Sequence, residues 1–366
     1  MAGMLGEQAR EALALAGGAV APPGATPVRI SALDQLEQGE PLGRGVTSTV
    51  RLALAPDGRP YALKIIQKAD IVSKGESALT RLYREKDLLA ALTHPGVVDF
   101  HCTLKDESRL YFVLELLDGG ELLWHMRESP LQRLIPRQVA VCMGALLLPL
   151  QYMQQHGVLY RDLKPTNIMF TLAGRLKLVD FGHAKRVEAG EDILSARSVS
   201  VCGTPHYAAP ETVHGQAHGL PAQLWALGVL MVEMLAGTPP FLDAPGRPAL
   251  QAQIIESEPD YSTVPAEARP LAAMLLARDP AARQAAFPAG YADVAAHPWL
   301  AQLDMAAIES GACVPNFDFE AHADHVKRLV PQSVKARRAA ATKTMSRRGE
   351  GGDGDGGPTA AVTGLN

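Results

Sequence analysis

The hydrophobic period of this chain changes character at one place, and that change limits the folds open to it. From Leu36 to about Asp118, apolar residues alternate over short runs. GVTSTVRLALA and RPYALKII are two of them, separated by the turn signal Pro56-Asp57-Gly58, and a period of two with turn residues between runs marks β-strands. One helical segment, ALTRLYREKDLLAAL, interrupts this part before RLYFVLELL returns to the strand pattern. From Gly119 to Leu300 the spacing turns helical, most clearly over 139–155 and 225–236. A small strand-rich part followed by a larger helical part predicts an α+β fold of two lobes. The mainly β small lobe is expected over residues 34–118 and the mainly α large lobe over residues 119–300, with the linker near Glu115–Gly119.

The flanks read differently. Residues 1–33 hold a short Ala/Leu-rich patch and the breaker run APPGATP, an N-terminal extension. After about Ala323 the chain becomes Ala/Arg/Lys-rich and then Gly/Asp-rich, so residues 323–366 are expected to be disordered, because such a composition buries too little surface to offset its ordering entropy. The net charge of −4 argues against a nucleic-acid partner. Cys102, Cys142, Cys202 and Cys313 have neither metal-ligand spacing nor the density of a disulfide scaffold, which favours a reducing compartment. Val139–Leu150 is the longest apolar run, too short to span a bilayer, so no integral membrane segment is expected. No signal peptide is read, and Ala2 rather than glycine follows the first methionine, against myristoylation. A cytoplasmic protein is expected, with the basic C-terminal run offering a route to nuclear entry.

Five strings carry chemistry, in order along the chain. In LGRGVTSTV, Leu42 to Val50, Gly43 and Gly45 let the backbone approach phosphate oxygens with no Cβ in the way. In YALK, Lys64 lies on the following strand, and Glu85, twenty-one positions later in the helical segment, is its candidate ion-pair partner. Such a pair aims an ammonium at the α- and β-phosphates of a nucleotide. YRDLKPTN, Tyr160 to Asn167, offers Asp162 to align a substrate hydroxyl, Lys164 to neutralise a γ-phosphate and Asn167 to hold a metal. DFG supplies Asp180, a hard oxygen ligand suited to Mg²⁺. The fifth string, AAPE, closes the segment that DFG opens.

Together these strings resemble the protein kinase signature set over roughly residues 34–319. YRDLKP with its tyrosine, CGTPHYAAPE, WALGVLMVEML, GTPPF and HPWL are similar to the AGC group, especially the cyclic-AMP- and cyclic-GMP-dependent kinase catalytic domains. VPNFDFE resembles the start of that group's C-terminal tail, here residues 301–322. The resemblance implies a bilobal protein serine/threonine kinase using ATP and Mg²⁺. By similarity Leu42, Val50, Ala62 and Met169 would line the adenine slot, Leu114 would be the gatekeeper, and the backbone of Glu115 and Leu117 would hold adenine. Leu89, Phe100, Tyr160 and Phe181 would stack between the lobes. Ser200 would be the activation-loop phosphosite, with Ser195 and Ser198 as competitors and Arg161, Lys185 and Arg81 as pairing cations. Arg283 would bridge Glu211. Glu121 and Glu233 would receive substrate arginines, giving protein or peptide substrates with Arg three residues before the Ser/Thr; helix-surface charge is the plain alternative for both. A separate regulatory subunit or an activating kinase is the implied partner.

The departures from that pattern are specific. Ser48 stands where the family has glycine, Thr47 where it has an aromatic, and Thr166 where it has an arginine-binding glutamate. Gln223 replaces an aspartate that hydrogen-bonds the catalytic-loop backbone; its carbonyl retains that ability without the charge. These substitutions keep a pseudokinase scaffold as the rival reading, and a small-molecule phosphotransferase as a third that leaves the CGTP-to-APE segment without a use. No Phe-x-x-Phe motif follows VPNFDFE, and residues 327–348 carry eight Lys/Arg and no Asp/Glu. Within them, RRAAAT resembles a basic substrate able to compete in cis.

Overall fold

The computed structural model describes residues 30–328 except 46–47, 189, 195, 197–202 and 243–245. The small lobe is one antiparallel sheet of five strands, β1 (Glu37–Arg44), β2 (Ser48–Leu54), β3 (Pro60–Gln67), β4 (Phe100–Lys105) and β5 (Arg109–Glu115), in the order β1-β2-β3-β5-β4. The alternation that announced the strands also decides which face each residue takes. Along β3, Tyr61, Leu63 and Ile65 join a small cluster with Ala53, Tyr111 and Val113, while Ile66 belongs to the main core on the other face. Lys64 therefore points to the face covered by helix α2. Two helices separate β3 from β4, the short α1 (Lys68–Lys74) and α2 (Glu76–Ala91).

The chain leaves β5 at Glu115 and enters the large lobe through β6 (Gly120–Glu121) and α3 (Leu122–Glu128). The long α4 (Pro136–Gln155) follows, and it starts three residues earlier than the apolar run suggested. Pro136 is welcome there because the first helical N–H has no intrahelical acceptor to lose. Four short strands then shape the loops: β7 (Val158–Leu159), β8 (Ile168–Phe170), β9 (Leu176–Leu178) and β10 (Lys185–Arg186). They form a β6-β8-β9 sheet and a β7-β10 pair. Next come α5 (Pro210–Val213) and α6 (Leu220–Ala236), the latter buried around most of its circumference, as befits a helix at the centre of a lobe. The periphery is α7 (Arg247–Glu256), α8 (Arg269–Leu275), α9 (Pro280–Ala286), α10 (Tyr291–Ala296), α11 (Pro298–Ala301), α12 (Met305–Ser310) and α13 (Phe319–Arg328).

One continuous core joins the lobes. Leu88, Leu89 and Phe112 from the small lobe share it with Phe181, Tyr160 and Leu227. Backbone bonds reinforce the junction: Val98 N donates to Leu178 O at 3.0 Å and Leu178 N to Gly96 O at 2.8 Å.

The C-terminal boundary moves. Residues from 323 onward were expected to be disordered, yet α13 continues to Arg328 with Ala323 and Val326 buried. Its anchors are rings and one carbonyl contact. Phe317 stacks on His125 at 4.5 Å, His322 meets Trp124 edge-on at 5.3 Å, and Asp118 O lies 3.0 Å from His322 Nδ1. Gly120 has φ +89°, and a Cβ there would come within 2.9 Å of the His322 ring, so the docking depends on glycine. Residues 1–29 of the N-terminal extension and the basic run beyond Arg328 lie outside the described residues, while Ile30, at the extension's end, is buried in the small-lobe cluster.

Candidate active site

Helix α2 buries Glu85, Leu88 and Leu89 on one face, the i, i+3, i+4 spacing of a helix against a sheet. That face brings Glu85 to β3, where Lys64 Nζ lies 2.5 Å from Glu85 Oε1 and 3.3 Å from Asp180 Oδ1. Burial alone would depress the Lys64 pKa, but the carboxylates of Glu85 and Asp180 outweigh it and raise it above the ordinary value, so the ammonium is kept. Burial pushes the Glu85 carboxyl up, opposed by Lys64. Burial also acts to raise the Asp180 carboxyl, yet Lys64 and the Gly182 N–H bring it below the ordinary value. Asp180 adopts φ +56°, rare for a residue with a side chain, and its side chain remains 46% exposed.

The segment between β7 and β8 presents the second carboxylate. Asp162 is buried, and each of its acceptor atoms is used. Asn167 Nδ2 donates to Asp162 O and Oδ2, both at 2.9 Å; Lys164 Nζ reaches Oδ2 at 2.7 Å; Thr204 Oγ1 donates to Oδ1 at 3.3 Å. The loop turns through Arg161 at φ +67°. Gln223 on α6 holds that turn, its Oε1 accepting from Arg161 N at 3.0 Å. Gly203 packs so closely over the same backbone that a Cβ would stand 2.9 Å from Arg161 O. Tyr160 meets Phe181 edge-on at 5.3 Å and its hydroxyl donates to Val179 O. Leu89 is buried in the same core, and Phe100 packs against it.

The two carboxylate-bearing segments are tied together. Val179 N donates to Asn167 O at 3.0 Å, one residue before Asp180. Lys164 helps to lower the Asp180 pKa, and the Asp162 and Asp180 charges both act on His183, whose pKa burial lowers.

The residues expected around adenine lie on the small-lobe sheet, just past it and on β8. Gly43 pairs with Val50 and Val50 with Lys64, while Ala62 lies opposite Leu114. Gly45 N donates to Ser48 O at 2.8 Å and closes the turn at its base; Thr47 lies outside the described residues. Leu42 is half-buried on β1, Met169 is half-buried on β8, and Leu117 is buried just past β5. The Glu115 N–H is committed to Asp99 O at 2.9 Å, and its side chain pairs with Lys177.

For metal binding, the donor set fits a hard cation. Asn167 spends its amide N–H groups on Asp162, which leaves Oδ1 as an oxygen ligand beside the exposed Asp180 carboxylate. Among the described residues no three His, Cys, Asp or Glu side chains gather at one point, so a cation here would complete its shell with phosphate and water oxygens.

Ser200, Ser195 and Ser198 lie outside the described residues. Of the cations expected to pair with a phosphate, Arg161 Nε donates to His183 O at 2.8 Å. Lys185 sits opposite Leu159 in the β7-β10 pair, and Arg81 is exposed on α2, one turn before Glu85. Glu233 is buried on α6 and accepts a hydrogen bond from Tyr207, while Glu121 is half-buried at the start of α3. Burial raises both carboxyls and Arg127 opposes it at both, so the three charges share one neighbourhood. Arg283 and Glu211 form the expected bridge, both buried.

Thr204, Tyr207, Arg127 and Lys177 were not assigned from sequence. Thr204 and Tyr207 stand inside the CGTPHYAAPE string, so their presence was visible and their partners were not.

Comparison with known proteins places these observations. Residues 36–300 match the protein kinase domain family. The chain is 31% identical over 294 residues to a cAMP-dependent protein kinase catalytic subunit of Dictyostelium discoideum, covering 79% of this chain and 44% of that protein. It is 35% identical over 279 residues to the serine/threonine protein kinase ypkA of Aspergillus fumigatus, covering 75% and 42%. With the ribosomal protein S6 kinase alpha-6 of Danio rerio the identity is 33% over 284 residues, covering 76% and 36%. The matched part spans about a third to three-fifths of the length of such relatives.

Proposed function

The chain belongs to the protein kinase domain family, and from that premise we propose that it is an ATP-dependent protein serine/threonine kinase of the AGC type acting on basic peptide segments. The observation that carries the reading is the meeting of Lys64, Glu85 and Asp180 in one charge cluster, tied through the Val179–Asn167 backbone bond to the cluster of Asp162, Lys164 and Asn167.

Each residue then has a task. Lys64, fixed by Glu85, binds the α- and β-phosphates. Asp162, oriented by Asn167 and Thr204, accepts the proton of the substrate hydroxyl as that oxygen attacks, and Lys164 holds the γ-phosphate beside it. Mg²⁺, held by Asp180 and Asn167, would neutralise charge on the phosphate oxygens. The Gln223 bond to Arg161 N keeps the catalytic loop in its turn without a carboxylate, which supports turnover over the scaffold reading. Glu121 and Glu233 supply the carboxylates for Arg at the third position before the Ser/Thr, and phosphorylation at Ser200 raises activity through Arg81, Arg161 and Lys185. An activating kinase or a separate regulatory subunit controls that step.

Incubation with [γ-³²P]ATP, Mg²⁺ and an Arg-x-x-Ser peptide tests this. Label on the serine, absent with Asp180→Ala, is expected. ATP binding without transfer to any peptide of an arginine-containing library would replace it with the pseudokinase scaffold.

A further inference from the structure

An ammonium is costly to bury without partners, and the Lys177 side chain is only 7% exposed. Lys177 stands on β9, three residues before Asp180, and it reaches across to the small lobe. Its Nζ pairs with Glu115 Oε2 at the end of β5 and lies 3.3 Å from Asp99 Oδ1 just before β4. The same Glu115 Oε2 accepts from Asp99 N at 3.2 Å, and Glu115 N donates to Asp99 O at 2.9 Å. Both the carboxylate and the N–H of Glu115 are thus fastened, the carboxylate partly by the large lobe.

Strand register adds a second tie. Lys177 lies opposite Met169 in the β8-β9 pair, and opposite residues of an antiparallel pair share one face of the sheet. The next residue, Leu178, is bonded through its backbone to Gly96 and Val98, so the lysine starts from a strand already attached to the segment that carries Asp99. Glu115 and Met169 are two of the residues expected around adenine. Resting on the proposed function, we infer that Lys177 is a positioning residue for the nucleotide base. It fixes where the Glu115 backbone stands relative to Met169, and with that the affinity for the adenine end of ATP.

A packing role makes a different prediction. Arg283 on α9 and Glu211 on α5 both belong to the large lobe, whereas Lys177 and Glu115 come from different lobes. Removing one partner of a buried pair lowers stability wherever the pair stands. Only a pair that positions the linker also changes how tightly the base is held. Lys64 and Lys164 act on phosphates, so adenosine, which has none, reports on the base end alone.

The test uses the full chain. Lys177→Met is expected to raise the KM for ATP about tenfold, with kcat and peptide KM unchanged. Calorimetric titration should show adenosine binding weakened by the same factor of about ten. Lys177→Met/Glu115→Leu removes both charges and should recover the thermal midpoint, because an apolar pair can replace a buried ion pair, while adenosine affinity stays low. Lys177→Arg keeps the charged tie and should keep most of that affinity. Adenosine bound by Lys177→Met as tightly as by the wild type, or affinity recovered along with stability in the double variant, reduces Lys177 to packing and leaves the kinase standing. A kcat that rises at unchanged KM for ATP also overturns the positioning role, making the tie a restraint on turnover. The two readings fail separately. A wild type that binds adenosine and labels no peptide ends the proposed turnover, while the adenosine ratio still decides the role of Lys177; a wild type that binds no adenosine overturns that role.

Discussion

Arg283–Glu211 and Lys64–Glu85 are both buried cation–carboxylate pairs, and their surroundings separate chemistry from packing. Arg283 and Glu211 have side-chain exposures of 0% and 3%. The guanidinium also donates to Pro221 O at 3.1 Å and Arg278 O at 3.1 Å, and lies 5.3 Å over the Trp225 ring. Every side of that pair is closed by protein. Lys64 and Glu85 are nearly as buried, at 13% and 7%, but a third charged group, Asp180, stands 3.3 Å away and is 46% exposed. The first pair uses a rigid planar fork that never loses its charge; the second uses a compact point charge on a flexible stem. Burial of charge is common to both. What sets the second pair apart is its open side, the exposed carboxylate of Asp180.

Removing one member from each site should break the two regions in different currencies. Asp180→Ala is expected to lower peptide phosphorylation by more than about 10³-fold, about 4 kcal/mol of transition-state stabilisation, while the thermal midpoint stays within a few degrees. Arg283→Met should do the reverse. It leaves Glu211 buried and uncompensated, which costs about 3–5 kcal/mol of stability, and the molecules that remain folded should transfer phosphate at an undiminished rate. Urea unfolding and single-turnover kinetics on both variants check this. A stable Arg283→Met chain, or an Asp180→Ala chain that melts early, would erase the distinction.

Gln223 sharpens the comparison, because here a neutral group stands at the catalytic loop where the family resemblance leads one to expect a carboxylate. Its Oε1 is the acceptor for Arg161 N in a turn at φ +67°. Gln223→Ala leaves that N–H unpaired, a loss of about 1–3 kcal/mol, and should lower kcat about tenfold with little change in peptide KM. Gln223→Asp should restore kcat. Equal loss in both variants would mean the side chain acts through packing alone.

The same residue shows what could be read from sequence. The position of Gln223 two places before Trp225, and the capacity of its carbonyl, were legible because an amide's chemistry does not depend on context. The strings around Lys64, Asp162 and Asp180 were legible because they resemble signature strings of a known family; strand alternation adds only the face of the sheet that Lys64 takes, since Asp162 and Asp180 lie on loops. The roles of Thr204 and Arg127 were not, since nothing local ties Thr204 to Asp162, 42 residues earlier. Helix α13 was misread for the same cause. Its composition is that of a solvated tail, and what orders it is a contact between His322 and Asp118, 204 residues apart. Composition measures the average cost of ordering a segment and is blind to a distant aromatic surface that repays it.

That surface holds a third kind of buried ionisable group, one without a counter-ion in contact. His125 is buried among Phe170, Phe317 and Phe319, and its Nε2 lies 2.7 Å from Gly119 O. Burial, with the His322 charge adding to it, pushes its pKa from 6.5 down to about 4, and the Gly119 carbonyl and Asp318 only partly offset this. The folded form thus takes up a proton less readily than the unfolded chain. Its stability contribution is whole above pH 6.5 and declines as pH falls toward 4. Lys64 has the opposite sign, since its raised pKa keeps its contribution intact below 10.5 and loses it only in strong alkali. Mild acid should therefore loosen the seat of α13 and leave the Lys64–Glu85 pair in place. Between pH 7.5 and 5 the wild-type midpoint is expected to fall about 2–4 °C further than that of His125→Gln, roughly 1 kcal/mol for a domain of this size. Hydrogen exchange over residues 317–328 should quicken over the same interval, with exchange in β3 unchanged. Equal acid sensitivity in the two proteins would assign the loss to other groups and remove His125 from the account.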